Sequence, residues 1–69
     1  MIDIKVFYNG TMTQYNFRYL LDGMYWLKSN VKIDYIIIDD ETVVTWAEWD
    51  TYFEKLNKFC KEVYGYWYD

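Results

Sequence analysis

The sequence lacks several of the groups on which small proteins and enzymes commonly depend. It has no histidine, no proline and a single cysteine, Cys60, among its 69 residues. One cysteine excludes an internal disulfide, and without histidine it cannot build a zinc site. No Ser-His-Asp or Cys-His arrangement is possible either. We therefore expect a protein that is not an enzyme and that binds no cofactor and no metal.

Glycine and long apolar runs are also scarce. The three glycines are isolated from one another, so there is no glycine-rich phosphate loop. No uninterrupted apolar stretch exceeds four residues, the length of residues 35–38, which is far short of the roughly 20 residues that cross a membrane. Met1 leads directly into a strand-like alternation without an export signal. Together with the unpaired cysteine, these features predict a cytoplasmic protein.

Aromatic residues are what the chain has in abundance. They make up 25% of it, as four Trp, nine Tyr and four Phe. A single domain of this size needs dense apolar packing or a partner chain when it has neither disulfide nor metal. A core this small cannot hold so many rings, and exposed aromatic clusters often mark contact sites.

The strongest local signal is the dipeptide Asn9-Gly10, which is typical of a type I′ hairpin turn. Pairing outward from a two-residue turn places Tyr8 opposite Thr11, and continues to Ile2 opposite Phe17. This register agrees with the apolar alternation and predicts a hairpin over residues 2–16. Its buried face would carry Ile2, Ile4, Val6 and Tyr15.

Beyond the hairpin, the apolar period changes from two to that of a helix. Asn16 has the chemistry of an N-cap, and the spacing predicts a helix over residues 17–29. Gly23 costs such a helix about 1 kcal/mol relative to alanine. Tyr19 and Trp26 lie seven residues apart on the opposite face, where we expect them to be exposed and to contribute to a contact. The core-facing positions are Phe17, Leu20, Leu21, Met24 and Leu27.

The segment 31–45 predicts a second hairpin. Its first half is rich in β-branched residues, its second half is Thr42-Val43-Val44-Thr45, and Asp39-Asp40-Glu41 forms the tip. The register is ambiguous by a residue or two, so the isoleucines that face the core are not assigned.

The last element is predicted as a helix over residues 46–64, with a capping box between Thr45 and Glu48 and a C-terminal stop at Gly65. Its apolar stripe fits a helix lying on a sheet better than a coiled-coil seam, because it spans fewer than three heptads. Cys60 would be an inert core residue within that stripe. The apolar positions are Trp46, Trp49, Phe53, Leu56, Cys60 and Val63.

These elements predict one domain of order ββαββα with an aromatic tail at residues 65–69. The simplest arrangement is an α+β fold, in which two helices cover one face of a four-stranded antiparallel sheet.

Charge is segregated along the chain. Residues 33–54 contain seven carboxylates and no lysine or arginine, whereas the net charge of the whole protein is −4. The acidic balance argues against direct binding to nucleic acid or to an anionic membrane, and favours a basic protein surface as partner. Because the strand between them is short, we expect the hairpin tip and the start of the last helix to form one acidic patch. The predicted contact residues are Asp34, Asp39, Asp40, Glu41, Glu48 and Asp50, with Tyr19 and Trp26.

The same acids also have two structural explanations, neither of which involves a partner. A solvated turn that resists strand pairing would explain the tip. Acids in the first half of the last helix and lysines in its second half complement the helix dipole.

Small size, acidic charge, a mixed α/β pattern, many aromatics and a single alanine, Ala47, together resemble phage-encoded inhibitors. This class includes anti-CRISPR proteins and DNA-mimicking inhibitors of restriction enzymes or glycosylases. The resemblance is one of overall profile across the whole chain. It implies an inhibitor whose carboxylates occupy the basic channel of a nucleic-acid-processing defence enzyme. The alternatives are an adaptor or homodimer subunit with an aromatic interface, and a small metal-dependent enzyme, which the residue inventory disfavours.

Overall fold

The computed structural model describes residues 1–64 and confirms the α+β fold with element order ββαββα. One antiparallel sheet contains β1 (Ile2–Tyr8), β2 (Thr11–Phe17), β3 (Tyr35–Ile38) and β4 (Thr42–Thr45), in the spatial order β2-β1-β3-β4. Two helices, α1 (Leu20–Asn30) and α2 (Trp49–Tyr64), pack on one face of it. The predicted stop at Gly65 and the tail at 65–69 lie outside the described residues.

The first hairpin forms in the predicted register. Asn9 and Gly10 have φ angles of 52° and 80°, as a type I′ turn requires. Tyr8 lies opposite Thr11, and the pairing continues to Ile2 opposite Phe17. On the predicted inner face, Ile4 and Val6 are buried, while Ile2 and Tyr15 are half-buried.

The core lies between this face of the sheet and the two helices. In the second hairpin, Ile36 and Ile38 point into the core, and Ile37 is half-buried on the opposite face. Burying such an aliphatic side chain contributes about 1.5–3 kcal/mol. The residues of the core are Ile4, Val6, Met24, Leu27, Ile33, Ile36, Ile38, Val44 and Trp49.

The first helix begins at Leu20, three residues later than predicted, and Asn16 is not its N-cap. Asn16 and Phe17 remain in β2, where they pair with Asp3 and Ile2. Pairing along the full length of β1 therefore prevails over the local capping signal. Tyr19 occupies the N-cap position in an extended conformation, without a capping hydrogen bond from its side chain.

The second hairpin is shorter than predicted, because β3 begins at Tyr35 rather than at residue 31. The backbone N–H of Asp34 donates to the carbonyl of Phe7 at 2.8 Å. The Asp34 carboxylate accepts the N–H of Asn9 at 2.9 Å. Residues 31–34 thus form a crossover that ties the second hairpin to the tip of the first, and Ile33 enters the core from this crossover.

The chain enters α2 through one turn of 3₁₀ helix, Trp46–Glu48. The predicted pairing of Thr45 with Glu48 is present, but its form is different. The Thr45 hydroxyl donates to the Glu48 carboxylate at 2.9 Å, and the Thr45 side chain caps no backbone N–H. The capping-box prediction was therefore wrong in its essential bond.

The predicted apolar stripe of α2 is covered in its middle and exposed at both ends. Trp49 is 2% exposed, whereas Phe59 and Val63 are 55% and 54% exposed. With 16 residues, α2 is about 24 Å long, while a four-residue strand such as β4 spans only about 13 Å. The helix is therefore longer than β4, a strand that it contacts. Cys60 is half-buried rather than a core residue, and Trp46 is also exposed.

Candidate functional site

The acidic tip of the second hairpin meets the start of β1 at one corner of the sheet. Asp3 and Asp39 exchange two bonds: the Asp39 N–H donates to the Asp3 carbonyl at 2.7 Å, and the Asp3 N–H donates to the Asp39 carboxylate at 2.8 Å. Asp40 binds the ammonium group of Lys5 at 2.5 Å. With Glu41, the corner holds four carboxylates. We call Asp3, Asp39, Asp40 and Glu41 the acidic corner.

Lys5 is the cation of this corner. The hydrogen bond from its Nζ to Asp40 raises the pKa of Lys5 above its usual value of 10.5, and charge attraction to Asp40 and then to Asp3 acts in the same direction. Lys5 therefore remains protonated throughout the physiological range. The four carboxylates and the Lys5 ammonium together carry a formal charge of −3.

The backbone of the tip holds these charges in place. Asp39 and Asp40 have φ angles of 50° and 58°, a left-handed conformation that Asp and Asn tolerate better than most residues. The Glu41 N–H closes the turn on the Ile38 carbonyl at 3.0 Å. The side chains of all three tip acids are exposed, so the tip presents its charges to solvent from a hydrogen-bonded turn.

The other predicted acids lie at the opposite end of the second hairpin. Asp34 binds the turn of the first hairpin as described above, and Glu48 accepts the hydroxyl of Thr45. Asp50 forms an ion pair with Lys28 of α1 at 2.5 Å. The length of β4, about 13 Å for four residues, separates this group from the tip. The expectation of one continuous acidic patch was wrong, because β4 carries the chain away from the tip before α2 begins.

Asp3 is the corner residue that the sequence did not reveal. Its neighbours in the sequence place it on a strand of the first hairpin, 36 residues away from Asp39. The two meet only because β1 and β3 pair at the centre of the sheet. To predict this contact, the sequence would have to indicate which strand of the first hairpin lies next to which strand of the second. It contains no such signal.

Tyr19 and Trp26 are both exposed, at 59% and 44% of their surface. Trp26 nevertheless contacts β2, with ring centroids 5.8 Å from Tyr15 and 6.1 Å from Phe17. The Trp26 ring therefore covers the helix-facing side of β2, and the rest of the ring is exposed to solvent. A role of Tyr19 and Trp26 in binding stays a prediction.

We expect Trp26→Ala to lower the free energy of unfolding by about 1–2 kcal/mol, because it removes two tilted aromatic contacts and some apolar burial. Tyr19→Ala, at a more exposed position of the same helix region, should change it less. Urea unfolding followed by circular dichroism measures both. An unchanged midpoint for Trp26→Ala would mean that the ring contributes nothing to the fold.

Apolar surface is exposed in two further places. On the open face of the sheet, the rings of Phe7 and Tyr35 stack with centroids 4.6 Å apart and planes 9° from parallel, and Met12 and Val43 beside them are about half exposed. On the helical side, α1 and the second half of α2 border an open groove of about 650 Å³. The residues that line this groove include Ile2, Arg18, Tyr19, Leu56, Phe59 and Cys60.

Comparisons of the chain with protein-family models, with curated proteins and with solved structures find no match. Within residues 1–64, no three acidic, histidine or cysteine side chains are grouped so that they could hold a metal ion. No helix in that part of the chain has the length and apolarity to cross a bilayer.

Proposed function

We propose that this protein is a small non-enzymatic inhibitor that places its acidic corner in the basic nucleic-acid channel of a host defence enzyme, of the kind that anti-CRISPR or anti-restriction proteins target. It would act in the cytoplasm of the host cell. The observation that carries the proposal is the acidic corner itself. Two strands far apart in sequence converge there, and four carboxylates lie at one corner of the sheet, where Asp40 binds Lys5.

Fixed carboxylates can occupy the positions that phosphates take along a basic channel. Lysines and arginines that bind phosphates attract such an array and would be blocked by it. Charge complementarity of this kind accelerates encounter and is weakened by salt, because mobile ions screen exposed charges over about 8 Å at physiological ionic strength. Inhibition should therefore weaken as salt rises.

We expect the triple variant Asp39→Asn, Asp40→Asn, Glu41→Gln to lose tenfold or more in affinity for the target, about 1.4 kcal/mol. Asparagine suits the positive φ of both tip positions, and its carbonyl oxygen can still accept the Asp3 N–H, so the turn should keep its shape. Cleavage assays with RNA-guided and restriction nucleases, and affinities at two salt concentrations, provide the measurement.

A matched control removes the same amount of charge elsewhere. The variant Asp22→Asn, Glu54→Gln, Glu62→Gln also changes three exposed carboxylates to amides, but none belongs to the acidic corner. It should bind and inhibit nearly as the unmodified protein does. Equal loss in both variants would show that only net charge matters, and equal binding without any salt response would contradict the proposal.

The open face of the sheet favours a second candidate function, that of a protein–protein adaptor. The stacked pair Phe7–Tyr35, with Met12 and Val43 beside it, provides exposed apolar area without a covering layer among residues 1–64. Such a surface binds through apolar burial, so its affinity should depend little on salt. Binding that survives neutralisation of the acidic corner and is lost in Phe7→Ser would support this function.

A further inference from the structure

The two edges of the sheet differ in how they are protected. Exposed edge strands invite pairing with other chains, and proteins usually shorten them, charge them or interrupt them with proline. The edge strand β4 has four residues. The other edge strand, β2, has seven residues, none of them charged and none of them proline. It belongs to a stretch, residues 6–17, without a single charged side chain.

The outward backbone groups of β2 can be identified from the bonds of its neighbour. In β1, the carbonyls of Asp3 and Phe7 accept N–H groups from the β3 side. Because neighbouring residues of a strand point their backbone groups in opposite directions, the even residues of β1 bond to β2. Their partners in β2 are the odd residues. The N–H and C=O groups of Met12, Gln14 and Asn16 therefore point away from the sheet, and no strand among residues 1–64 lies beyond them.

We propose that β2 pairs with β2 of a second copy of this chain, antiparallel about a two-fold axis at Gln14, so that two sheets join into one of eight strands. In this register the outward residues face each other: Gln14 faces Gln14 of the second copy, and Met12 faces Asn16. The three pairs can exchange six backbone hydrogen bonds. This inference does not depend on the proposed inhibitory function.

The side chains of β2 suit this pairing. In the same register Thr13 lies beside Tyr15 of the second copy, a combination of β-branched and aromatic residues that stabilises antiparallel strands. No charge opposes another across the pair, although each molecule is net −4. The antiparallel direction also keeps the two acidic corners at opposite ends of the joined strands, whereas parallel pairing would place them side by side.

The exposure of Trp26 favours a second copy of this chain, rather than a short peptide, as the partner of β2. Its ring lies over Tyr15 and Phe17 at the edge of the sheet and remains 44% exposed. A short peptide added to β2 would leave the helix layer as it is. A second copy brings its own α1 to the same side of the joined sheet, and its Thr13 and Thr11 lie beside Tyr15 and Phe17, the two rings that Trp26 covers.

The test is sedimentation of the full chain over a hundredfold range of concentration, with three variants beside it. Gln14→Pro removes the central outward N–H, and an edge strand tolerates proline there because that N–H has no strand partner among residues 1–64. Gln14→Lys places two like charges near the axis and changes no backbone group. Like Gln14→Pro, it also removes the hydrogen bond that the Gln14 side-chain amide donates to the Asp3 carboxylate. Val43→Pro is the matched control, because the same alternation places the Val43 N–H outward on the β4 edge.

We expect the unmodified protein and Val43→Pro to reach twice the monomer mass of 8.6 kDa as concentration rises. Both Gln14 variants should raise the dimer dissociation constant tenfold or more, and Gln14→Lys should recover part of the loss in high salt. Hydrogen exchange should slow with concentration at the amides of Met12, Gln14 and Asn16. A monomer at every concentration overturns the inference, as does a dimer that Val43→Pro disrupts and the Gln14 variants do not.

Discussion

Trp49→Ala should lower the free energy of unfolding by about 3–5 kcal/mol, the usual cost of truncating a buried aromatic residue. Trp49 is 2% exposed and is the largest side chain in the core. It belongs to a core that takes side chains from β1, β3, β4 and α1, so its loss leaves a cavity that neighbouring elements cannot all close. Small domains have only about 5–15 kcal/mol of total stability. We therefore expect this variant to be largely unfolded at 37 °C.

Trp46 offers a matched control for this experiment. It lies three residues earlier, with its ring centroid 5.7 Å from that of Trp49, but it is 46% exposed. Trp46→Ala should lower stability by no more than about 1 kcal/mol. Urea unfolding followed by far-ultraviolet circular dichroism compares the two. Should Trp49→Ala not fold at all, Trp49→Phe gives a measurable intermediate loss, and equal losses at both positions would contradict the assignment of the core.

Gly23→Ala should lower stability by about 1–3 kcal/mol, although alanine favours a helix over glycine by about 1 kcal/mol. The reason is the ring of Phe17. A Cβ at position 23 would lie 2.6 Å from both Cγ and Cδ2 of Phe17 and 3.1 Å from its Cβ. These atoms are close to the backbone of β2, so they cannot move away without shifting the strand.

A double-mutant cycle separates the two effects at Gly23. In a Phe17→Ala background the obstruction is absent, so Gly23→Ala should become neutral or stabilising, as helix propensity alone predicts. Thermal unfolding of the four proteins gives the coupling free energy between the two positions. The same loss in both backgrounds would show that Phe17 is not the cause, and that α1 and β2 are farther apart than described.

The parts of the fold that the sequence predicts are those set by local chemistry. The turn at Asn9-Gly10 fixes the register of the first hairpin through Ile2 and Phe17, because turn type and alternation point to the same pairing. Long-range packing decided the rest. Asn16 has the chemistry of a helix cap but pairs with Asp3 in the sheet. Strand pairing at this position stabilises the fold more than a helix cap would.

The candidate site shows the same division. The tip acids are predictable because a hairpin tip is a local structure, and all three are exposed. Asp3 could not be predicted, since its place in the acidic corner follows from the pairing of β1 with β3. A contact role for Asp34 stays a prediction; its carboxylate binds the Asn9 N–H at 2.9 Å, as that of Asp39 binds the Asp3 N–H at 2.8 Å. No sequence pattern indicates which acids bind the backbone of their own chain.

The pairing of β1 with β3 also joins two units, each consisting of a hairpin and a helix: β1, β2 and α1 in one, and β3, β4 and α2 in the other. Neither unit has as many as the roughly 40 residues below which a chain seldom folds alone, and the core takes side chains from both. The two units should therefore gain and lose their structure together, in one cooperative step. The acidic corner contains residues of both units, with Asp3 in one and Asp39 in the other. A partner that binds this corner therefore binds only the folded chain, in which both units are in place. Its binding free energy adds to the stability of the whole fold through mass action.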